Sequence, residues 1–116
     1  MRVAIHQPNF LPWLGYFAKW SYADIFIILD DVQYARRSYT NRTQVQGSGA
    51  PVWLTVPVSG EYGFEIRQIQ IATKRVSEYV SARLKSLYGS APTFKKVSLE
   101  IDAALRDADS MLLSEF

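Results

Sequence analysis

Two short apolar runs near the amino terminus constrain the fold more than any other feature of the sequence. The first, Val3–Ile5, ends at a polar loop, and the second, Asp24–Leu29, runs from an aspartate through five apolar residues and ends at a pair of aspartates. Between them, apolar residues recur at helical spacing over Leu14–Tyr22. A strand, a helix and a strand in this order predict a βαβ unit, because parallel strands need a long crossover connection.

The rest of the chain predicts further strands and then helices. Residues 33–50 are predicted to be mostly irregular, with one exposed strand possible. Strands are predicted over 52–57 and 66–71. Helices are predicted over 76–87 and from about residue 90 onwards. Thr73 is placed to cap the first of these helices, and Gly89 to end it. We therefore predict an α/β fold, with a small Rossmann-like βαβ unit, a mostly parallel sheet, extra strands and two carboxyl-terminal helices.

Composition limits the classes of protein to which the chain can belong. With 116 residues, 48% of them hydrophobic, it can bury one core, and we expect a single domain over residues 1–116. A net charge of +2 is too small to indicate nucleic acid as a partner. No apolar run approaches the roughly 20 residues that span a bilayer. The absence of cysteine fits a reducing compartment, so we expect a cytoplasmic protein; cofactor and oligomeric state stay open.

Polar side chains follow the first predicted strand. His6 lies directly after it, at the edge of a parallel sheet where ligands bind. Its imidazole is suited to acid–base catalysis near neutral pH, and Gln7 and Asn9 add amide groups that can bind a substrate. The alternative is a structural histidine whose ring is hydrogen-bonded to a loop carbonyl.

Aromatic residues continue this loop into the predicted helix. Trp13 and Tyr16, together with Phe10, can form a wall against a sugar or a base, or else close one end of the core. The strand-to-helix layout is typical of an anion-binding loop, but glycine is too scarce for a P-loop. The layout is also similar to the loop of nucleotidyltransferases with a His-x-Gly-His motif, although the second histidine is absent.

Two aspartates follow the second predicted strand. Asp30 and Asp31 lie at the same sheet edge as His6 if the strands are parallel, and only one of the pair can point towards it. We assign Asp30 to orient the histidine or bind a hydroxyl, and Asp31 to substrate binding. Other ligands at metal-binding spacing are absent, so no metal site is predicted. The alternative is an ordinary acidic strand end.

A basic and polar segment comes next. Gln33, Asn41 and Arg42 follow the aspartates closely, and an arginine fork can clamp a carboxylate or phosphate. The simple alternative is a solvated surface loop. RNA binding is disfavoured, because the segment has no motif for a base-stacking platform. The predicted partner is therefore a small anionic molecule.

Four sequence blocks resemble the WbqC-like protein family. They are the stretch from Val3 to Phe17 with its His-Gln-Pro-Asn-Phe-Leu-Pro-Trp-Leu-Gly-Tyr string, Leu29–Tyr34, the Asn41-Arg42 pair, and Trp53–Val58. Carried over, the characteristic polar positions of the family fall on His6, Gln7, Asn9, Asp30, Asp31, Gln33, Asn41 and Arg42.

The resemblance implies a role as well as a fold. Members are bacterial and are often encoded among genes for cell-surface polysaccharide such as O-antigen. This implies a transferase-type enzyme, for acyl, aminoacyl or nucleotidyl transfer, acting on a nucleotide-linked sugar or a similar anionic molecule. The resemblance also implies that residues 1–116 are the amino-terminal part of a longer fold. The alternative is a non-catalytic ligand-binding or truncated accessory module.

Overall fold

The amino-terminal residues form the βαβ unit that the apolar pattern predicts. A computed structural model describes all 116 residues of the chain, Met1–Phe116. Strand β1 (Val3–His6), helix α1 (Leu14–Tyr22) and strand β2 (Ile25–Ile28) follow one another, and the two strands pair in parallel. The prediction of a parallel βαβ unit is therefore confirmed.

The remaining strands pair in the opposite sense. β3 (Arg42–Gln46) and β4 (Pro51–Thr55) form an antiparallel hairpin, and β5 (Val58–Ser59) pairs antiparallel with β6 (Gln70–Ile71). The connection over 47–50 is too short for the crossover that parallel strands require. The mixed α/β class is confirmed, but the predicted mostly parallel sheet is wrong, since only one of the three two-stranded sheets is parallel. One parallel pair does not by itself make a Rossmann-like sheet.

A turn of 3₁₀ helix replaces most of the strand predicted over 66–71. It spans Ile66–Gln68, and only Gln70–Ile71 is extended and paired. The side-chain oxygen of Gln68 accepts a hydrogen bond of 2.9 Å from the backbone N–H of Glu65. This bond satisfies a donor at the start of the turn, so local side-chain chemistry overrides the β-branched pattern.

The two predicted helices are confirmed, whereas the caps differ. Helix α2 spans Val76–Tyr88 and α3 spans Pro92–Asp107. Arg75, rather than Thr73, immediately precedes α2, and no side chain caps it. Gly89 does end α2, but with a right-handed φ of −58°, so its glycine-specific freedom is not used there.

The buried core lies where the carboxyl-terminal helices pack on β4 and β6. Leu54, Val56 and Val80 have exposed fractions of 0%. Phe10 is the one member of this cluster that comes from the first 50 residues. The core therefore belongs mainly to the second half of the chain, and the βαβ unit contributes little to it.

Two kinds of feature are absent from the structure: helices that could span a membrane, and clusters of side chains that could bind a metal ion. None of the helices is both long enough and apolar enough to cross a membrane. No group of three or more His, Cys, Asp or Glu side chains lies together in a way that could hold a metal ion.

Candidate functional site

The loop after β1 meets the segment before β3. The backbone N–H of Phe10 donates a hydrogen bond of 2.9 Å to the carbonyl of Tyr39, and the Thr43 hydroxyl lies 3.5 Å from the carbonyl of Leu11. Between them lies a recess of about 300 Å³, which we call the loop-edge cleft. Its lining residues are Asn9, Phe10, Leu11, Pro12, Trp13, Tyr39 and Thr43. The cleft therefore lies beyond the carboxyl end of a parallel strand, where α/β proteins bind ligands.

Two residues beside the cleft have a left-handed backbone. Leu11 has a φ of 42° and Arg37 a φ of 60°, and these are the only non-glycine residues with positive φ. Such conformations cost free energy and persist where the surroundings enforce them, often at ligand sites. Their occurrence in the two segments that form the cleft supports a binding role for it.

The indole of Trp13 forms one wall of the cleft. It precedes α1, and its exposed fraction is 69%. A Cβ added to Gly15 would overlap the six-membered ring of this indole, so the missing side chain makes room for it. An exposed indole held on the backbone of a helix offers a flat surface on which a sugar or a base can stack.

Tyr39 lines the cleft and is in contact with a second aromatic ring and an arginine that lie outside the lining. The guanidinium of Arg42 lies over the Trp53 ring at 3.9 Å from its centroid, and Trp53 contacts Tyr39 at a centroid separation of 5.7 Å. One terminal N–H group of Arg42 donates a hydrogen bond of 2.6 Å to the carbonyl of Arg37. Its Nε is buried without a partner. Stacking and the carbonyl bond hold this cation in place without neutralising its charge.

Asn41, predicted to clamp an anion with Arg42, is buried. Its exposed fraction is 6%, and its amide nitrogen donates a hydrogen bond of 3.0 Å to the carbonyl of Val56. In return, the N–H of Val56 donates to the carbonyl of Asn41 at 2.7 Å. The side-chain oxygen of Asn41 is buried without a partner. These bonds fix the start of β3 against the end of β4 and so position Arg42.

His6 lies at the end of β1 and contacts α1. Its Nδ1 is 2.8 Å from the carbonyl of Gln7, so Nδ1 carries the proton and Nε2 stays free of hydrogen bonds. The ring packs edge-on against Tyr16, with centroids 5.0 Å apart. Tyr16 is 5% exposed, and burial raises the pKa of its phenol. Neither residue lines the loop-edge cleft.

Both aspartates lie near the guanidinium of Arg67. The side chain of Asp30 makes no hydrogen bond to His6, while its carbonyl accepts one of 2.9 Å from the N–H of Arg67. A hydrogen bond to Glu65 at 2.6 Å raises the pKa of Arg67, and the nearby charges of Asp31 and Asp30 add to this effect. The ion-pair partner of Arg67 is therefore Glu65, and the two aspartates act on it only as nearby charges.

Gln33 lines a different and larger cavity. This recess has a volume of about 490 Å³, and its walls come from the segment after β2 and from the loop after β5. Tyr34 also lines it, and burial raises the pKa of its phenol against the opposing influence of Arg36 and Arg42. The phenol is therefore a neutral hydrogen-bonding group at neutral pH.

The structure thus brings together only some of the predicted site residues. Asn9 and Trp13 share the loop-edge cleft, and Arg42 lies next to it through Trp53 and Tyr39. Besides Arg42, the predicted residues outside the cleft lining are His6, Gln7, Tyr16, Asp30, Asp31, Gln33 and Asn41. Sequence reasoning missed Tyr39, Thr43 and Trp53. The register of β3 against β4 is the signal that could have identified Trp53. It sets Gln44 beside Trp53, so that Arg42, two residues earlier, lies diagonally across from the Trp53 ring.

The fold and the site define a mixed α/β protein with an aromatic, cation-flanked cleft at a strand end. The chain belongs to the WbqC-like protein family, whose model matches residues 7–116. It is also similar to the uncharacterized protein Rv1507c of Mycobacterium tuberculosis (strain ATCC 25618 / H37Rv), with 35% identity over 102 residues. That alignment covers 84% of this chain and 43% of the relative, so the chain spans less than half the relative's length. No solved structure matches the chain.

Proposed function

We propose that this chain is a cytoplasmic protein that binds a nucleotide-linked sugar, or a similar anionic small molecule, in the loop-edge cleft. We further propose that it takes part in a transfer reaction of bacterial cell-surface polysaccharide biosynthesis, such as that of O-antigen. The observation that carries this proposal is the guanidinium of Arg42 over the ring of Trp53, which contacts Tyr39 in the lining of the cleft. Trp13 and Asn9 line the same cleft. A fixed cation suits a phosphate, and exposed rings suit a sugar face or a base.

His6 is the residue that we propose as general acid or base. Its free Nε2 can take a proton from an attacking hydroxyl or amine, while Nδ1 stays bound to the carbonyl of Gln7. Asp30 lies two residues after Ile28, the β2 residue paired with His6. It keeps the proposed role of binding a substrate hydroxyl, because Nδ1 of the histidine is already bound to the carbonyl of Gln7. Asp31, Gln33 and Asn41 keep only an indirect role in this proposal, as residues that shape the surrounding loops.

Ligand binding is tested by thermal shift with nucleoside diphosphates, nucleotide sugars, acyl-coenzyme A and nucleoside triphosphates. We expect a nucleotide sugar to raise Tm, and Trp13→Ala to weaken its binding about tenfold, which is about 1.4 kcal/mol of stacking. Tyr62→Ala is the matched control, because Tyr62 is 89% exposed and lines the larger cavity instead. A shift that Tyr62→Ala abolishes and Trp13→Ala leaves intact would place the ligand in the larger cavity and contradict the proposal.

Catalysis is tested on any ligand that binds. We expect His6→Gln to leave the thermal shift in place and to lower turnover by about 10²- to 10⁴-fold, as is usual for loss of a general acid or base. An unchanged rate in this variant would remove His6 from the mechanism.

A non-catalytic binding module is the second candidate function. The separation of His6 from the cleft lining and the lack of a hydrogen bond between His6 and Asp30 favour it. A nucleotide sugar that stabilises the protein and is recovered chemically unchanged with every acceptor class tried would support this module over the enzyme.

A further inference from the structure

The β1–β2 pair has one covered face and one open face. Register places Ala4 beside Phe26, and this face lies under α1, where Tyr16 and Trp20 contact the Phe26 ring. The opposite face consists of two aliphatic pairs, which we call the open face. These are Val3 beside Ile25 and Ile5 beside Ile27.

The four side chains of the open face are close to half exposed. Their exposed fractions are 49% for Val3, 51% for Ile5, 46% for Ile25 and 41% for Ile27. Parallel strands occur almost only where both faces of the sheet are covered, because their sequences are apolar on both sides. The sequences VAIH and IFII fit this description, so the strands have the composition of strands covered on both faces.

The outer edges of the pair differ in how they are protected. Neither β1 nor β2 has a strand neighbour other than its partner, so each leaves one row of backbone groups unpaired with a strand. At β1, the side chain of Lys19 donates a hydrogen bond of 2.9 Å to the carbonyl of Ile5. Lysine and proline are residues that prevent further pairing at a sheet edge, and β2 contains neither. The open face and the outer edge of β2 therefore have the features of a sheet interior.

The length of the mycobacterial relative indicates which polypeptide covers the open face and the outer edge of β2. The alignment accounts for only 43% of that protein, so more than half of its residues lie outside the matched stretch. We propose that polypeptide equivalent to this unmatched part packs an apolar helix on the open face and adds a parallel strand beside β2. The result is an open parallel sheet with helices on both faces, and the loop-edge cleft lies at its carboxyl edge.

The 116-residue chain alone provides the first test. We expect it to be monomeric by analytical ultracentrifugation and to bind an apolar fluorescent dye. Ile25→Thr with Ile27→Thr, which keeps β propensity and removes apolar surface, should abolish most of the dye binding. Leu99→Thr is the matched control, because Leu99 is 77% exposed on α3 and far from the strands in sequence. A dimer that the double substitution dissociates would make a second copy the occupant and overturn the proposal, and so would an absence of dye binding.

The second test adds the unmatched part of the relative to the chain. We expect amides of β1 and β2 to exchange more than about tenfold more slowly when the chain is fused to the unmatched part of the relative. Ile25→Asp should cancel this protection, and Leu99→Asp should not. Exchange in the matched strands of the full-length relative gives the same comparison where the fusion does not fold. Exchange as fast there as in the isolated chain would overturn the proposal.

Discussion

At the scale of single residues, Gly15 is needed because it has no side chain, and not because its backbone is flexible. A β-carbon at this position would meet the ring of Trp13, so the glycine is what lets the indole lie over the first turn of α1. Gly15→Ala consequently moves the indole without removing it. This makes the position of the ring testable separately from its chemistry.

We expect Gly15→Ala to weaken nucleotide-sugar binding by a factor similar to that of Trp13→Ala. The unliganded protein should be as stable as the original or slightly more so, since alanine favours a helix over glycine by up to about 1 kcal/mol. Isothermal titration together with thermal unfolding measures both effects. Gly49→Ala is the control, because a β-carbon there meets nothing within 4 Å. Unchanged affinity in Gly15→Ala would mean that the indole does not contact the ligand.

The sequence could predict part of the site at this scale. Asn9 and Trp13 line the cleft because they lie in a loop that directly follows a strand, and that placement is local in the sequence. Tyr39 and Trp53 come together through the register of β3 against β4, which no local pattern specifies. Asp30 follows β2 next to the end of β1, as predicted from the parallel strands, since the N–H of Leu29 donates a hydrogen bond to the carbonyl of His6. The nearby charge of Arg67 comes from more than thirty positions further along, so no local pattern could predict it.

At the scale of elements, α2 and α3 are joined by side-chain hydrogen bonds beside their apolar contact. We call this group of Ser77, Ser81, Lys85, Asp102 and Asp109 the clasp. Ser81 donates a hydrogen bond to one carboxylate oxygen of Asp102, and Lys85 donates to the other at 2.8 Å. Asp109 extends the clasp by accepting from the backbone N–H and hydroxyl of Ser77, at 3.0 and 2.7 Å. Apolar periodicity predicted both helices, but not this clasp, because it depends on how the helices are aligned.

The clasp predicts a dependence of stability on pH. The hydrogen bonds from Lys85 and Ser81 lower the pKa of Asp102 below its ordinary value of 3.8. A carboxylate whose pKa falls on folding stabilises the protein above the unfolded-state pKa, and this contribution is lost as the pH falls through the lower folded-state value. Asp102→Asn should therefore lower Tm at pH 7, with the difference from the original protein vanishing at the acid end of the titration.

Thermal unfolding from pH 7 down to about pH 2 measures this prediction. Asp107→Asn is the matched control, because Asp107 lies on the same helix, is exposed and makes no side-chain hydrogen bond. A deficit in Asp102→Asn that stays constant over the whole range would indicate a loss of packing and not of charge.

At the scale of the whole molecule, stability is unevenly distributed. The buried cluster draws almost entirely on residues from Leu54 onwards, whereas the open face of the β1–β2 pair is nearly half exposed. The class of fold could be predicted because strand and helix periodicities are local. The three separate sheets could not, because local periodicity does not specify which strands pair with one another.

This distribution predicts different costs for similar truncations. Leu54→Ala should destabilise the protein by about 2–5 kcal/mol, since its side chain is 0% exposed and its loss leaves a cavity. Leu99→Ala, at an exposed fraction of 77%, should change the free energy of unfolding by no more than about 0.5 kcal/mol. Urea unfolding of both variants provides the comparison. An equal loss of unfolding free energy in the two variants would mean that the core does not lie where these exposed fractions place it.

Phe10 belongs both to the wall of the loop-edge cleft and to the buried cluster, and its ring stacks on Phe116 with centroids 6.0 Å apart. A ligand that binds more tightly when Phe10 is packed on Phe116 would stabilise that packing, and a substitution that loosens the packing would weaken the ligand by the same factor. Phe10 is thus the residue through which ligand binding in the cleft and packing of the core can be coupled.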